Sequence, residues 1–262
     1  VEVEAHVVMG DSVILKNTVK AIETNKATVK SMVLHSLASA ESTLTGDERE
    51  MGVVLVDIGG GTTDLAIYRQ GHPWYSAVIP VGGSQLTRDL SVALKTPLYM
   101  TEEMKVKWGS VMPETIASDD EVVIPSFQGQ PKHSLFRRIL CEPLEARTLE
   151  IIKMIVLKVR QSGLREFPAG GLVLTGGGSE MTGLSDLLLK ILRGQVRIAY
   201  PEGIAGLPAQ LRKPAFSAAV GLLLWGIKHQ GETRSSMNGG RSITGSKSWR
   251  WGLGRKKAAS VR

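Results

Sequence analysis

Cysteine is almost absent from this 262-residue chain. The single Cys141 excludes an internal disulfide and any cysteine-rich zinc site, and points to a reducing compartment. Histidine is also scarce. His6, His35, His72, His133 and His229 form no His-x-His or His-x-x-x-His pair, so a metal held by histidines is not expected. No run approaches the roughly 18 apolar residues of a membrane span. The first residues, Val1-Glu2-Val3-Glu4-Ala5-His6, are not a signal peptide, and the chain reads as cytoplasmic. An initiating Met is missing as well. The apolar/acidic alternation at the start reads as the interior of a strand, so an upstream part is expected.

Hydrophobic residues make up 42% and charged residues 22%, the balance of a folded globule rather than a disordered polymer. The net charge of +7 suggests nucleic acid until it is located. Of 32 basic and 25 acidic residues, eight basic and one acidic fall in 231–262, which leaves 24 of each sign in the body. The body therefore gives no reason to expect nucleic acid as a partner. From Gly231 the composition turns to Gly, Ser and Arg without periodicity, which reads as a linker.

Periodicity gives a β-α-β-α opening: a strand over 1–9, a helix from Asp11 or Ser12 to about Asn25, a strand over Val29–Leu34 and a small-residue helix over Leu37–Leu44. Met51–Asp57 is a continuous apolar run, the mark of a strand buried on both faces. Strands over Leu65–Tyr68 and Trp74–Val81 extend it into a meander. Helices follow at Leu86–Leu94 and Thr101–Trp108, a short strand at Glu121–Pro125, a turn at Phe127–Pro131 and a long helix at Arg137–Gln161. Gly171–Thr175 is a second buried strand, and a helix follows its glycines through Leu192. Val196–Ala199 reads as a strand, Pro201–Pro208 as a loop and Pro214–Lys228 as a helix of small residues.

Two glycine clusters carry the chemistry. Asp57-Ile58-Gly59-Gly60-Gly61-Thr62-Thr63-Asp64 leaves a buried strand, and Leu174-Thr175-Gly176-Gly177-Gly178-Ser179 leaves another. Bare backbone N–H groups can close around phosphate oxygens, threonine hydroxyls add donors, and Asp57 can hold Mg2+ through water. The second cluster is expected to open a helix that a nucleotide approaches at its N-terminus. A glycine-rich hairpin without ligand remains the plain alternative for the first cluster. Neither cluster is a Walker loop or a dinucleotide fingerprint.

In order and spacing these segments resemble the actin-like ATPase superfamily: the first cluster its second phosphate motif, Leu174–Leu184 its adenosine motif, and Glu102-Glu103-Met104-Lys105 its Glu-x-x-Lys pair. Within it the chain is most similar to the FtsA family of bacterial cell-division proteins, over about residues 1–229. The resemblance implies an α/β, actin-like (ribonuclease H-like) fold comprising the second half and the end of the first half. Residues 1–50 would end the first half, including the family-specific subdomain. Residues 51–85 and 168–213 would form the nucleotide-binding subdomain. Residues 86–167 would form the inserted subdomain that receives the FtsZ C-terminal tail, and 214–229 a helix returning to the first half. A linker over 230–247 and a possible amphipathic membrane-targeting tail over 248–262 would follow.

The cofactors implied are ATP and Mg2+. Gly59, Gly60, Gly61, Thr62 and Thr63 would hold phosphates, and Gly176, Gly177, Gly178 and Met181 would border the adenosine. Glu102 and Lys105 would touch ribose or base, and Asp57 would position the metal. His35 stands in Val33-Leu34-His35-Ser36-Leu37-Ala38-Ser39, where relatives use Gln or Glu to orient the attacking water. With Ser84 where relatives often carry Asp, this implies binding with at most weak hydrolysis. The family's first phosphate motif has no match in the chain. Trp249, Trp251, Leu253 and the basic residues Arg255, Lys256 and Lys257 suit an interfacial anchor, weakened by Gly252 and Gly254; a disordered basic tail is the alternative. The implied function is an actin-like, filament-forming protein that ties FtsZ to the cytoplasmic membrane alongside other division proteins. Two alternatives share the fold: a PilM-like pilus-assembly protein that binds a partner's peptide, and a superfamily kinase.

Overall fold

In the computed structural model, the residues described are 5–124 and 133–229. The chain divides into a unit over residues 1–227 and a second over 228–262, nearly all of which lies outside the described residues.

The centre is a five-stranded sheet in the order β3-β2-β1-β6-β7. Strands β1 (Val53–Ile58), β2 (Thr63–Arg69) and β3 (His72–Ile79) form an antiparallel meander. On its other side β1 runs parallel to β6 (Leu172–Thr175), which runs parallel to β7 (Val196–Ile198). All six residues of β1 are buried, as a central strand covered on both faces requires.

Alternation along β1 divides its side chains between two layers. Val54, Val56 and Ile58 join a core with Leu90, Leu144 and Ile155. That face is covered by α4 (Gly83–Leu94), α6 (Arg137–Gln161) and α7 (Leu184–Leu192). Val53 and Leu55 face the other way, onto Ala40 of α2 (His35–Thr43) and onto Leu44, Tyr68 and Val173. The next inward position on that side is Asp57. A two-residue period thus delivers a carboxylate to the α2 face at the end of an otherwise apolar strand.

Helix α2 sits close because its buried residues are small: Ser36, Ala38, Ser39, Ala40, Ser42 and Thr43. It meets α8 (Ser217–Lys228) at Gly221, where an added Cβ would lie 1.7 Å from the Ala38 carbonyl oxygen. Only glycine permits that approach.

The structure corrects several readings of the sequence. Residues 5–9 and Val29–Leu34 are not strands. Neither pairs with another strand among the described residues, and an apolar run without a neighbour has no ladder to complete. The opening is instead α1 (Ser12–Glu23), capped by the Asp11 side chain, then α2. A short α3 (Gly46–Met51) was not anticipated; Thr45 and Glu48 make a reciprocal capping box there, and Met51 ends this helix rather than starting β1. Helices α4 and α5 (Leu98–Trp108) each start three residues earlier than periodicity suggests. β4 (Glu121–Ile124) pairs with an unforeseen β5 (His133–Phe136). The turn expected at Phe127–Pro131, and the tail with its tryptophans, lie outside the described residues.

Candidate functional site

β1 and β6 are parallel neighbours, so Gly59 and Gly176 leave the sheet side by side from the same end. In open α/β sheets the crevice beyond the carboxyl ends of the strands is where ligands bind. A cleft of about 360 Å³ opens there, lined among others by Gly59, Gly60, Glu102, Lys105, Gly177, Gly178 and Met181. Two glycine clusters more than a hundred residues apart become its facing walls.

The first wall is held from behind. Gly59 N–H donates to the Thr62 carbonyl (2.9 Å) and closes the β1–β2 turn. The first turn of α4 then grips it: Gly83 N–H donates to the Gly59 carbonyl (2.9 Å) and Ser84 N–H to the Gly60 carbonyl (2.8 Å). Gly82 makes this docking possible, because a Cβ on it would lie 2.6 Å from Gly59 O and 2.7 Å from Gly60 O. With the carbonyls turned toward α4, the Gly60 and Gly61 N–H groups have no acceptor among the described residues. They are free to meet phosphate oxygens.

The second wall is tighter than expected. Gly176 adopts φ +81°, and Gly177–Glu180 form a single 3-10 turn. The helix proper begins only at Leu184, after Gly183, so the cluster does not open an α-helix as the sequence suggested. What the segment offers is bare backbone at Gly177 and Gly178, whose N–H groups also have no acceptor among the described residues. Its position is fixed from across the cleft by Val111 N–H, which donates to the Thr182 carbonyl (2.9 Å).

Helix α5 provides the polar floor. Lys105 is 7% exposed, and its Nζ donates to the Gly83 carbonyl (3.1 Å), Thr87 Oγ1 (2.8 Å) and Glu102 Oε2 (2.8 Å). Thr87 Oγ1 also donates to Glu102 Oε2. Burial pushes the Glu102 carboxyl up, but the hydrogen bonds from Lys105 and Thr87 outweigh it and hold the group below its usual value. Glu102 Oε1 has no partner among the described residues.

Asp57 is not among the cleft-lining residues; its side chain is on the α2 side of β1, 3% exposed. Its Oδ2 accepts from Ser39 Oγ (2.5 Å) and bonds His35 Nε2 (3.0 Å). The hydrogen bond to Asp57 raises the His35 pKa; partial burial opposes this, and the charges of Asp57 and Asp64 add to the rise. Asp64 stands opposite Asp57 across the β1–β2 pair and accepts from Thr62 Oγ1 (2.9 Å). Asp57 Oδ1 has no hydrogen-bond partner among the described residues. Two hard carboxylates on one face, each with one oxygen unpartnered among the described residues, suit Mg2+ held largely through water. The open N–H groups and the size of the cleft suit a nucleotide phosphate chain.

Of the residues singled out in the sequence, Gly59, Gly60, Glu102, Lys105, Gly177, Gly178 and Met181 line the cleft. Gly61, at the tip of the same turn, does not line it. Thr63 is buried, and its hydroxyl donates to the Val81 carbonyl (2.8 Å) rather than facing a ligand. Thr62 is committed to Asp64, and Gly176 backs onto Asp57, its added Cβ falling 2.3 Å from Oδ1. His35 lies on the α2 side, tied to Asp57 and absent from the lining. Sequence reasoning missed Thr87, Ser39, Glu180 and Thr182 as site residues. Thr87 lies one helical turn after Gly83, yet nothing in the sequence shows that α5 places a lysine beneath it.

The FtsA family (cell division protein FtsA) matches residues 54–221. The cell division protein FtsA of Pseudomonas aeruginosa is 37% identical over 243 residues, 93% of this chain and 58% of that protein. The Escherichia coli (strain K12) protein of the same name is 38% identical over 232 residues, 86% of this chain and 55% of its own length. The chain thus spans 55–58% of the length of these relatives. Among solved structures, MreB 5 of Spiroplasma citri bound to AMPPNP superposes with a TM-score of 0.66 at 16% identity, over 87% of this chain and 68% of that one. The PilM-PilN type IV pilus biogenesis complex gives 0.61 at 18%, over 81% and 57%. At such identities these likenesses show the fold, which is actin-like as the sequence motifs implied.

Proposed function

The chain belongs to the FtsA family of cell-division proteins, and on that premise we propose that it carries the nucleotide-binding part of an actin-like protein whose ATP-dependent assembly organises division. The observation that carries this reading is the meeting of two glycine walls, each with free N–H groups, across one cleft of about 360 Å³. The Gly60 N–H group, on the cleft wall, receives a phosphate oxygen. Gly177, Gly178 and Met181 border the adenosine, and Glu102 offers Oε1 to a ribose hydroxyl. Asp57 and Asp64 would hold Mg2+ through water. The metal supplies charge neutralisation for the phosphates when bound.

Hydrolysis is weak in this reading. His35 Nε2 is engaged with Asp57, so the ring is a poor orienter of water compared with a free amide side chain. Nucleotide therefore acts mainly by controlling assembly into filaments. Residues 86–167, the inserted subdomain that the resemblance implies, are the proposed seat of the FtsZ tail, and residues 248–262 the proposed membrane contact, strengthened by avidity in a filament. The family match and 37–38% identity favour this over a pilus-assembly role, for which there is likeness of fold alone.

The test is calorimetric titration of the complete protein with Mg-ATP, comparing wild type with Gly177→Asp. A Cβ at Gly177 meets only the Ala215 Cβ, at 3.6 Å, so the variant is compatible with the fold while placing a negative charge in the cleft. Affinity is expected to fall at least about tenfold, or about 1.4 kcal/mol. Unchanged affinity in the variant refutes the site. Deletion of 248–262 is expected to abolish flotation with anionic liposomes, and retained flotation refutes the membrane role of that tail.

A further inference from the structure

The end of the sheet opposite the glycine walls carries a second cavity. The glycines leave the carboxyl ends of β1 and β6, whereas α6 and α7 finish shortly before β6 and β7 begin, so their last turns lie at the amino ends of these strands. There a cavity of about 310 Å³ opens between the two helix ends and residues 165–167. Ligand pockets start at roughly this size, about 300 Å³. Its floor is apolar, with Val156 of α6, Phe167, and Ile191 of α7, the last 42% exposed. Its rim is charged: Arg160, Arg165 and Glu166.

None of these three charged side chains has a partner among the described residues, although they share one cavity. Other arginines of the domain are engaged: Arg137 with Asp120, Arg147 with Asp89 and Glu150, and Arg197 with Glu48. Two open guanidiniums over an apolar floor suit a ligand that brings carboxylates beside an apolar group. Each guanidinium can grip a carboxylate through two parallel N–H donors, and the floor takes the apolar group out of water. Glu166 adds a condition, because a carboxylate only accepts and therefore calls for a donor on the ligand. A phosphate or a fatty acid brings the anion without the donor. A peptide brings acid, apolar side chain and backbone N–H at successive residues. We propose that this cavity docks a short acidic peptide segment of a partner protein, with one aromatic or aliphatic side chain, flanked by Asp or Glu, entering between the ends of α6 and α7. The site is independent of the nucleotide reading, since it shares no residue with the cleft.

The probe is the fluorescein-labelled peptide Gly-Asp-Glu-Phe-Glu-Asp-Gly, followed by fluorescence anisotropy with the complete protein. Wild type is expected to bind it with a Kd below about 1 mM. Arg160→Gln and Arg165→Gln are each expected to weaken binding at least about threefold, and together at least about tenfold. Both side chains are exposed, so the variants keep the fold, which equal urea midpoints verify. Ile191→Ser reaches the same site without touching a charge and is expected to weaken the probe at least about threefold. Replacing the phenylalanine of the probe by alanine weakens binding at least about fivefold. Gly177→Asp, in the nucleotide cleft, leaves probe affinity unchanged.

Absence of saturable binding up to about 1 mM overturns the proposal. Undiminished binding by the double arginine variant means that the probe sits elsewhere, as on the basic residues of 248–262, and overturns it too. Equal affinity for the alanine probe reduces the contact to charge and does the same. Flotation with phosphatidylserine vesicles that the double variant abolishes, without probe binding, assigns the cavity to a lipid surface. Wild-type self-association that the double variant abolishes in sedimentation, again without probe binding, assigns it to a second copy of the chain. Either result overturns the peptide site while leaving the nucleotide reading untouched.

Discussion

Gly82→Ala is the sharpest probe of how the phosphate wall is built. Gly82 has φ −154° and ψ −161°, extended backbone that alanine adopts without strain, so its cost comes from contact alone. The new Cβ falls 2.6 Å from Gly59 O, 2.7 Å from Gly60 O and 2.9 Å from Gly60 C, all of them backbone atoms that cannot rotate aside. Relief requires moving the 59–62 turn away from α4, which stretches the two hydrogen bonds of 2.9 and 2.8 Å that join them. Overpacking costs about 1–3 kcal/mol, and each hydrogen bond contributes about 0.5–1.5 kcal/mol net. A loss on the order of 3 kcal/mol follows. For a domain of this size that lowers Tm by on the order of 10 °C. Gly61→Ala is the matched control: it lies in the same turn, has no atom within 4 Å of its added Cβ and does not have positive φ. It is expected to be neutral or to stabilise by about 0.4–1 kcal/mol through the unfolded chain. Differential scanning calorimetry on the complete protein measures both. If Gly82→Ala melts within a degree or two of Gly61→Ala, the docking of the glycine turn on α4 is not rigid and the account of the open N–H groups fails.

Gly221→Ala is expected to cost more than Gly82→Ala, because its Cβ would sit 1.7 Å from Ala38 O between two packed helices; a soluble variant with wild-type Tm contradicts the α2–α8 contact. Glu48 is held below its usual pKa by bidentate Arg197 (2.6 and 2.7 Å) and the Thr45 cap, against the opposing effect of burial. Because the folded pKa is depressed, this stabilisation is complete above about pH 4.3 and is lost as pH falls through the folded value. Glu48→Gln should therefore lower stability at neutral pH and flatten the acid limb of a Tm-against-pH profile; an unchanged limb counts against the ion pair. Leu55→Ala, in the centre of β1 and fully buried, is expected to cost about 2–5 kcal/mol, while Leu157→Ala, 53% exposed on α6, costs less than about 1 kcal/mol. Urea titration separates the two, and similar midpoints would refute the assigned layers.

The central sheet was legible because its signal is local. The unbroken apolar runs at Val53–Val56 and Leu172–Leu174 are what strands buried on both faces look like, and the glycines that follow mark their ends. Long α6 and amphipathic α4 were equally plain. The failures lie where an apolar segment lacks a partner: Val29–Leu34 has strand composition and no strand to pair with among the described residues. α3 was missed although its capping box, Thr45 with Glu48, is written in the sequence, because a six-residue helix has no room for an apolar period.

By itself the sequence determined which residues supply bare backbone, which strands are central, and the motif order that places the chain in its family. Only tertiary structure decided how those groups are used. It turned the Gly59 and Gly60 carbonyls onto α4, committed Thr62 and Thr63 to internal partners, tied His35 and Ser39 to Asp57, and buried Lys105 beneath Gly83. The reason is physical. Strand period and glycine content act over a few residues and leave a local pattern, whereas a hydrogen-bond partner tens of residues away is chosen by how helices pack on the sheet, and that packing leaves no periodic mark on either residue.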